Sequence, residues 1–269
     1  MPDTIPSLHP TVTMVGPATA PRWTVVVAAA GKGSRLGSSQ PKILFPVAGK
    51  SILVRLIEAF DSVSGRFVFV LAPSGVETVQ PALNESLGVN FEIAIQAVPI
   101  GMADAVNCGL GSVQTPFVAV VWGDQAALSA DVIRECARIM EDSPTLAAAL
   151  PTLYRPKPYI HFERDADQRI AHIRQAREGD VMPDVGESDA GVFFFRTKEL
   201  QAVLPTVLTN EAYRGRVTSE VNFLPILVEL ERRGGVRCVA GMSEQQAAGI
   251  NSPEDVQRME HFLAKTIIP

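Results

Sequence analysis

Through roughly the first 150 positions, unbroken apolar runs alternate with stretches whose apolar residues fall at helical spacing. Thr24 to Ala29 is a β-rich apolar run that ends in a glycine-containing loop. Ile52, Leu53, Leu56, Ile57 and Phe60 share one side of a helix expected over Ile52 to Val63, and Arg66 to Leu71 then reads as a second buried strand. Phe91 to Gln96 alternates, with Phe91, Ile93 and Ile95 on one face, and Phe117 to Trp122 is a further continuous apolar run. Ser129 stands where an N-cap belongs, before a helix whose Val132, Ile133, Cys136 and Met140 fall on one side. Strands alternating with helices require crossover connections. The expected fold is therefore α/β, a Rossmann-like, mostly parallel sheet with helices on both faces. Ligands in such sheets bind at the carboxyl ends of the strands, so the loops after Ala29, Gln96 and Trp122 become the candidate site.

From Leu150 the pattern changes. Tyr159 to Glu163 and Arg169 to Arg174 flank a polar turn and predict a β-hairpin; Gly191 to Arg196 predicts a strand. A helix carrying Pro225 is expected over Ser219 to Arg233, and a short strand over Val236 to Ala240. Ser252 as N-cap, Pro253 at the first helical position and Glu254 and Asp255 in the first turn predict a closing helix over about 252–266. The pattern suggests one domain over 23–269. A first half over about 23–150 precedes a small inserted β-rich half over about 151–250. Residues 1–22 are Pro-rich, without Lys or Arg before Arg22, and read as a flexible extension in which Met14 is a candidate true start.

Composition narrows the function classes. A chain of 269 residues with 46% hydrophobic and 20% charged residues can build a sizeable core. A formal net charge of −5 lacks the basic footprint of a nucleic-acid binder, and no apolar run is long enough to cross a bilayer. Three scattered cysteines (Cys108, Cys136, Cys238) fit neither a disulfide framework nor a zinc knuckle and point to a reducing cytoplasm. The oligomeric state is left open. An acidic protein that handles phosphate must concentrate its positive charge locally, which directs attention to short loops bearing Lys or Arg.

The strongest such segment is Ala28-Ala29-Ala30-Gly31-Lys32-Gly33-Ser34-Arg35-Leu36, followed by Gln40-Pro41-Lys42 and Gly49-Lys50-Ser51. Glycines directly after a strand let consecutive N–H groups approach phosphate oxygens. Arg35 offers a planar fork and Lys42 a compact charge. A dinucleotide fingerprint fails, because Ser34, Arg35 and Leu36 precede Gly37 and no acid follows the second strand. A Walker loop fails, because Leu44 stands five residues before Gly49. Gly-Lys-Gly by itself reads as an ordinary surface turn. His161 and His172 with Glu163 and Asp165 suggest a metal site only weakly, since their hairpin setting favours a solvated strand face. Cys108 reads as a structural thiol.

Four blocks in order give the segment its meaning: Ala29 to Arg35 with Pro41-Lys42; Gln96 through Pro99-Ile100-Gly101-Met102-Ala103-Asp104-Ala105; Gly123-Asp124; and Gly249-Ile250-Asn251. On these, Thr24 to Glu260 resembles the sugar-phosphate nucleotidyltransferase family, and within it the pyrophosphorylase domain of bacterial N-acetylglucosamine-1-phosphate uridylyltransferases. The resemblance implies that Ala29, Ala30, Gly31, Gly33, Ser34 and Arg35 hold the nucleotide, chiefly its β- and γ-phosphates. Lys42 would neutralise charge at the α-phosphate. Gln96, Gly101 and Met102 would face the nucleobase, and Asp124 and Asn251 would hold a magnesium ion. It further implies that Tyr159, Gln175, Asp189 and Glu220 meet the acceptor. Arg35, Lys42 and Asp124 are the catalytic candidates. The partners are a nucleoside triphosphate, UTP ahead of CTP, ATP or GTP, and a phosphorylated small molecule such as a sugar 1-phosphate; pyrophosphate is released.

Departures cluster at the acceptor end. Ile160 stands where the family carries a glycine, Gln175 replaces a glutamate, Asp189 an asparagine, and Met102 a threonine of the uridylyltransferases. Such exchanges alter selectivity strongly when buried polar atoms of the wrong substrate go unpaired. A cytidylyltransferase acting on a non-sugar phosphate or phosphonate is therefore a second reading. A silent nucleotide-binding regulator is a third, disfavoured by intact Arg35, Lys42, Asp124 and Asn251. The acetyltransferase repeats that follow this domain in the bifunctional relatives do not occur before Pro269, so acetyl transfer is not expected.

Overall fold

The computed structural model describes residues 21–31, 33–38, 40–86 and 89–266. Most of the extension expected over 1–22, including Met14, lies outside the described residues, as does Lys32 of the glycine segment. From the N-terminus, β1 (Trp23–Ala28) is followed by a small hairpin of β2 (Pro46–Val47) and β3 (Lys50–Ser51), then by α1 (Ile52–Phe60). Next come β4 (Arg66–Leu71), α2 (Val76–Glu85), β5 (Asn90–Ile95), α3 (Met102–Leu110), β6 (Phe117–Trp122) and α4 (Ala130–Asp142). The remainder holds β7 (Ala148–Pro156), the hairpin β8 (Ile160–Arg164) and β9 (Ile170–Gln175), β10 (Val185–Asp189) and β11 (Val192–Arg196). It ends with α5 (Thr197–Thr209), α6 (Ile226–Glu231), β12 (Val236–Val239) and α7 (Pro253–Thr266).

The central sheet is mostly parallel. β1 lies between β4 and β6, parallel to both, and β5 extends the sheet beyond β4. On the other side β11 joins β6 antiparallel and β7 joins β11 antiparallel. β10 carries the line of β11 further along β7 after a break at Gly191, whose φ of +74° suits a residue without Cβ. β12 runs parallel to β7. The continuous apolar strands are those buried on both faces, with Val25, Val26 and Val27 sealed from solvent. Leu53 and Leu56 of α1, Val79 of α2, Ile133 of α4 and Met259 of α7 fill one face. Val106 of α3, Leu200 of α5 and Leu227 of α6 fill the other. Each fully buried side chain of this size contributes about 1.5–3 kcal/mol relative to exposure.

The chain leaves β1 toward β4 and β5 on one side and returns through β6 on the other. The carboxyl ends of β1 and β6 therefore form the crevice in which α/β sheets take ligands. The expected helix over Ser219 to Arg233 is a correction: only Ile226–Glu231 is α-helical. Ser219 takes a left-handed φ of +57°, and the Val221 N–H donates to Ile100 O at 2.9 Å, so the segment before Pro225 joins loops instead. Gly49-Lys50-Ser51 belongs to the β2–β3 hairpin, and Lys50 Nζ pairs with Glu58 at 2.6 Å. No helix among the described residues is long and apolar enough to cross a membrane.

Candidate active site

The loop after β1 is built around two glycines and a buried anchor. Gly33 adopts φ +67°, after which Ser34–Leu36 makes one tight turn closed by Leu36 N–H to Gly33 O at 2.9 Å. Leu36 is buried and fixes the turn, while Ser34 and Arg35 stay exposed. A Cβ on Gly33 would stand 3.2 Å from Cα and Cβ of Lys42, so its absence lets the Pro41-Lys42 turn lie against the loop. Ala29 is buried with its N–H on Val70 O at 2.9 Å, whereas Ala30, Gly31 and Arg35 line a cleft of about 690 Å³.

Asp124 and Asn251, far apart in sequence, line that cleft and meet at Lys42. Lys42 Nζ lies 3.0 Å from Asp124 Oδ2 and 2.8 Å from Asn251 Oδ1, and Arg35 Nη2 approaches the same amide oxygen at 3.4 Å. Backbone pairing explains the convergence. Gln125 and Gly249 form an antiparallel bridge, and the Ile250 N–H donates to Asp124 O at 2.9 Å. A Cβ on Gly249 would come within 3.0 Å of the Asp124 carboxyl carbon, so glycine is what admits the carboxylate there. Gly123 likewise has no room for a Cβ, which would stand 2.8 Å from Ala28 O. Among the described residues no group of three or more His, Cys, Asp and Glu could hold a metal. One carboxylate and one amide oxygen converging on a single cationic nitrogen are nevertheless a donor set that suits magnesium. This hard ion takes oxygen ligands and leaves other positions to water and phosphate.

Asn251 is itself held from α7. Asp255 Oδ2 accepts the N–H groups of Asn251 (2.9 Å) and Ser252 (2.8 Å). Burial opposes ionisation of Asp255, but those two N–H groups and Arg258 outweigh it and hold the carboxyl below its usual range. A depressed carboxyl contributes stability above its unfolded pKa, and that stability is lost as pH falls through the folded value. Asp255→Asn is therefore expected to cost about 1 kcal/mol at neutral pH. The difference from the parent should shrink on acidification below about pH 4. Urea titrations at both pH values check this, and a pH-independent difference would contradict the charge argument.

At the next loop, Gln96 is buried, and its Nε2 donates to Gly101 O at 3.0 Å and to Asp104 Oδ2 at 2.9 Å. Gly101 has φ +139°, and a Cβ there would stand 2.5 Å from both N and O of Val221. With Ala103 N–H on Val221 O and Val221 N–H on Ile100 O, this contact clamps the loop before α3 to the segment before α6. Gly101→Ala must strain the backbone and part the two segments, an expected loss of about 2–4 kcal/mol. Parent-like stability in urea would show that the close approach is absent in solution.

The acceptor candidates share the same cleft. Tyr159, Gln175, Asp189 and Glu220 all line it, as do Gln96, Gly101 and Met102. Gln175 is buried opposite Ile160 in the β8–β9 pairing. Glu220 accepts from Arg177 Nη1 at 2.9 Å, and Arg177 Nη2 reaches Asn222 Oδ1 at 2.6 Å. Asp189 Oδ2 accepts the Gly191 N–H at 2.9 Å. Burial pushes the Asp189 carboxyl up, against that bond and the charge of Arg155, with nearby Asp124 adding to the rise. Glu163 pairs with Arg174, and Asp165 accepts two backbone N–H groups, so the hairpin's acidic residues have structural roles. Sequence reading missed Arg155, Arg177, Trp122 and Asn222, all of which line the cleft. Lone arginines such as Arg155 near the end of β7 and Arg177 in the turn after β9 give no spacing signal.

Comparison with known proteins bears on the family and the fold. Residues 25–187 match the family described as MobA-like NTP transferase domain. The chain is 27% identical over 254 residues to the bifunctional protein GlmU of Mycobacterium ulcerans, covering 91% of this chain and 50% of that protein. It is 30% identical over 256 residues to that of Mycolicibacterium paratuberculosis, covering 91% and 51%. The chain thus spans about half the length of the curated relatives it matches. A putative glucose-1-phosphate thymidylyltransferase from Bacillus anthracis superposes with a TM-score of 0.71 at 16% identity, over 89% of this chain and 94% of that one. The 4-diphosphocytidyl-2C-methyl-D-erythritol synthase of Anaerococcus prevotii gives 0.64 at 15% identity, over 90% and 98%. At these identities the two superpositions speak for the fold.

Proposed function

We propose, from the premise that the chain belongs to the MobA-like NTP transferase domain family, that it transfers a nucleoside monophosphate from a nucleoside triphosphate to a sugar 1-phosphate in the cytoplasm and releases pyrophosphate. UTP is the favoured donor. The observation that carries this reading is the meeting of Lys42, Asp124 and Asn251 beneath a glycine turn that ends in Arg35.

A phosphate monoester is an anionic nucleophile at neutral pH, so no general base is needed. One acceptor phosphate oxygen forms a bond to the α-phosphorus while the bond from that phosphorus to the bridging β-oxygen breaks, and pyrophosphate leaves with the electron pair. The backbone from Ala29 to Ser34 would hold the β- and γ-phosphates, with Arg35 at the terminal one. Lys42 would stabilise charge on the transferring group. Gln96, Gly101 and Met102 would face the base, and Tyr159, Gln175, Asp189 and Glu220 the acceptor. Asp124 and Asn251 would hold magnesium, whose role when bound is to neutralise charge on the nucleotide and the leaving group.

The test is a matrix of four nucleoside triphosphates against sugar 1-phosphates and phosphonates, scored by pyrophosphate release with Mg2+. Turnover of UTP with a sugar 1-phosphate is expected. A preference for CTP with a non-sugar phosphate or phosphonate would favour the second reading, which rests on Ile160, Gln175 and Asp189 at the acceptor end. Tight nucleotide binding with silence across the matrix would favour a regulator.

A further inference from the structure

We infer that the acceptor carries a second anionic group, a carboxylate or a phosphate, besides the phosphate that reacts, and that Arg155 is the side chain that reads it. This rests on the transfer reaction proposed above and narrows its substrate class.

Arg155 lies near the end of β7, paired with Gly186 of β10, and lines the acceptor end of the cleft beside Ser188 and Asp189. Its Nε and Nη2 are buried without a hydrogen-bond partner, and it joins no ion pair among the described residues. Its neighbours differ. Arg164 sets its fork on Glu187 at 2.8 and 2.7 Å, and Arg177 is shared between Glu220 and Asn222. A guanidinium cannot lose its charge in a protein. Leaving buried donors unmade costs about 1–3 kcal/mol each, and more for charged groups. An arginine with buried unpaired donors and no ion pair among the described residues, at the wall of the cleft, is placed for an anion that arrives with the substrate.

Asp189 feels the charge of Arg155 but does not pair with it. Asp189 gives Oδ2 to the Gly191 N–H and makes no ion pair with Arg155 within 4.0 Å among the described residues. The Nε–Nη2 edge presents two parallel donors, the geometry that matches two oxygens of a carboxylate or phosphate. Those nitrogens are closed to water, so seating an oxyanion takes a reorientation of the guanidinium into the adjoining space.

The experiment compares glucose 1-phosphate, glucuronic acid 1-phosphate and glucose 1,6-bisphosphate as acceptors for the parent, Arg155→Lys and Arg155→Ala. Pyrophosphate release gives kcat/KM, and calorimetry with and without nucleotide gives affinity. The parent should favour one or both doubly anionic acceptors by roughly 10-fold or more. The two anionic arms separate a carboxylate from a phosphate. Arg155→Ala should lose about 30-fold on the favoured acceptor and less than about 3-fold on glucose 1-phosphate, with the lysine variant between them. A parent that prefers glucose 1-phosphate, or an alanine variant equally impaired on all three with an unchanged melting curve, overturns the inference. If nothing turns over, the transfer reading fails while calorimetry still decides the arginine: equal affinities for the three compounds refute it. If the alanine variant does not fold, the parent's preference and the lysine variant decide the question.

Discussion

Asp124→Ala is expected to lower kcat by about 10³-fold while the fold survives, the largest effect foreseen for a single substitution in this chain. Asp124 sits in the turn after β6, with its carboxylate about one-fifth exposed and Lys42 as its one ion-pair partner among the described residues. Its main-chain bond to Ile250 does not involve the side chain. Removing the carboxylate therefore subtracts a partly exposed ion pair, which contributes little to stability. Function should suffer far more, because under the proposed metal assignment Asn251 would be left as a lone neutral donor for a divalent cation. Asp124→Asn separates charge from shape: it keeps two polar atoms in place yet should fall nearly as far. Pyrophosphate release at several Mg2+ concentrations is the measurement, with circular dichroism as the control. Near-parent activity in both variants would remove the metal assignment.

The parts that were legible in the sequence are those where one physical demand dominates. β1, β4 and β6 are buried on both faces, so each reads as a largely apolar run; β4 and β6 end where expected and β1 is displaced by one residue. The cap at Ser129 is local chemistry, and its side chain does accept the Val132 N–H. α3 was opaque because it packs too closely for bulky residues. A Cβ on its Gly109 would stand 2.5 Å from a Val26 methyl, and Ala103 and Ala105 fill the remaining contact, so no large apolar stripe announces the helix. β10 hid for another reason: Val185-Gly-Glu-Ser-Asp buries Glu187 against the fork of Arg164, and a buried ion pair mimics a polar loop in sequence. The residues of the cleft were found through motif order, yet only the bridge between Gln125 and Gly249 explains how a mid-chain acid and a C-terminal amide reach one lysine. Arg155 had no motif to betray it; what marks it is the lack, among the described residues, of a partner for its buried nitrogens, which is a property of three dimensions alone.

Lys42→Ala should produce a different failure from Asp124→Ala, and the contrast tests the division of labour between them. Lys42 Nζ occupies the point between Asp124 Oδ2 and Asn251 Oδ1. A divalent ion drawn to the same oxygens would repel the ammonium toward the neighbouring phosphate, where its charge is useful as the transition state forms. Deleting the amine removes that stabilisation, and kcat is expected to fall by about 10²–10³-fold. Nucleotide affinity should change by less than about 5-fold, because the glycine loop and Arg35, the proposed phosphate contacts, are untouched. The variant also relieves competition for the two oxygens, so the Mg2+ concentration needed for half-maximal activity should stay level or fall, whereas Asp124→Ala should raise it. Single-turnover kinetics and nucleotide binding, each titrated with Mg2+, separate these outcomes. If Lys42→Ala weakens nucleotide binding more than it slows turnover, the lysine is a ground-state anchor and its place at the α-phosphate is wrong.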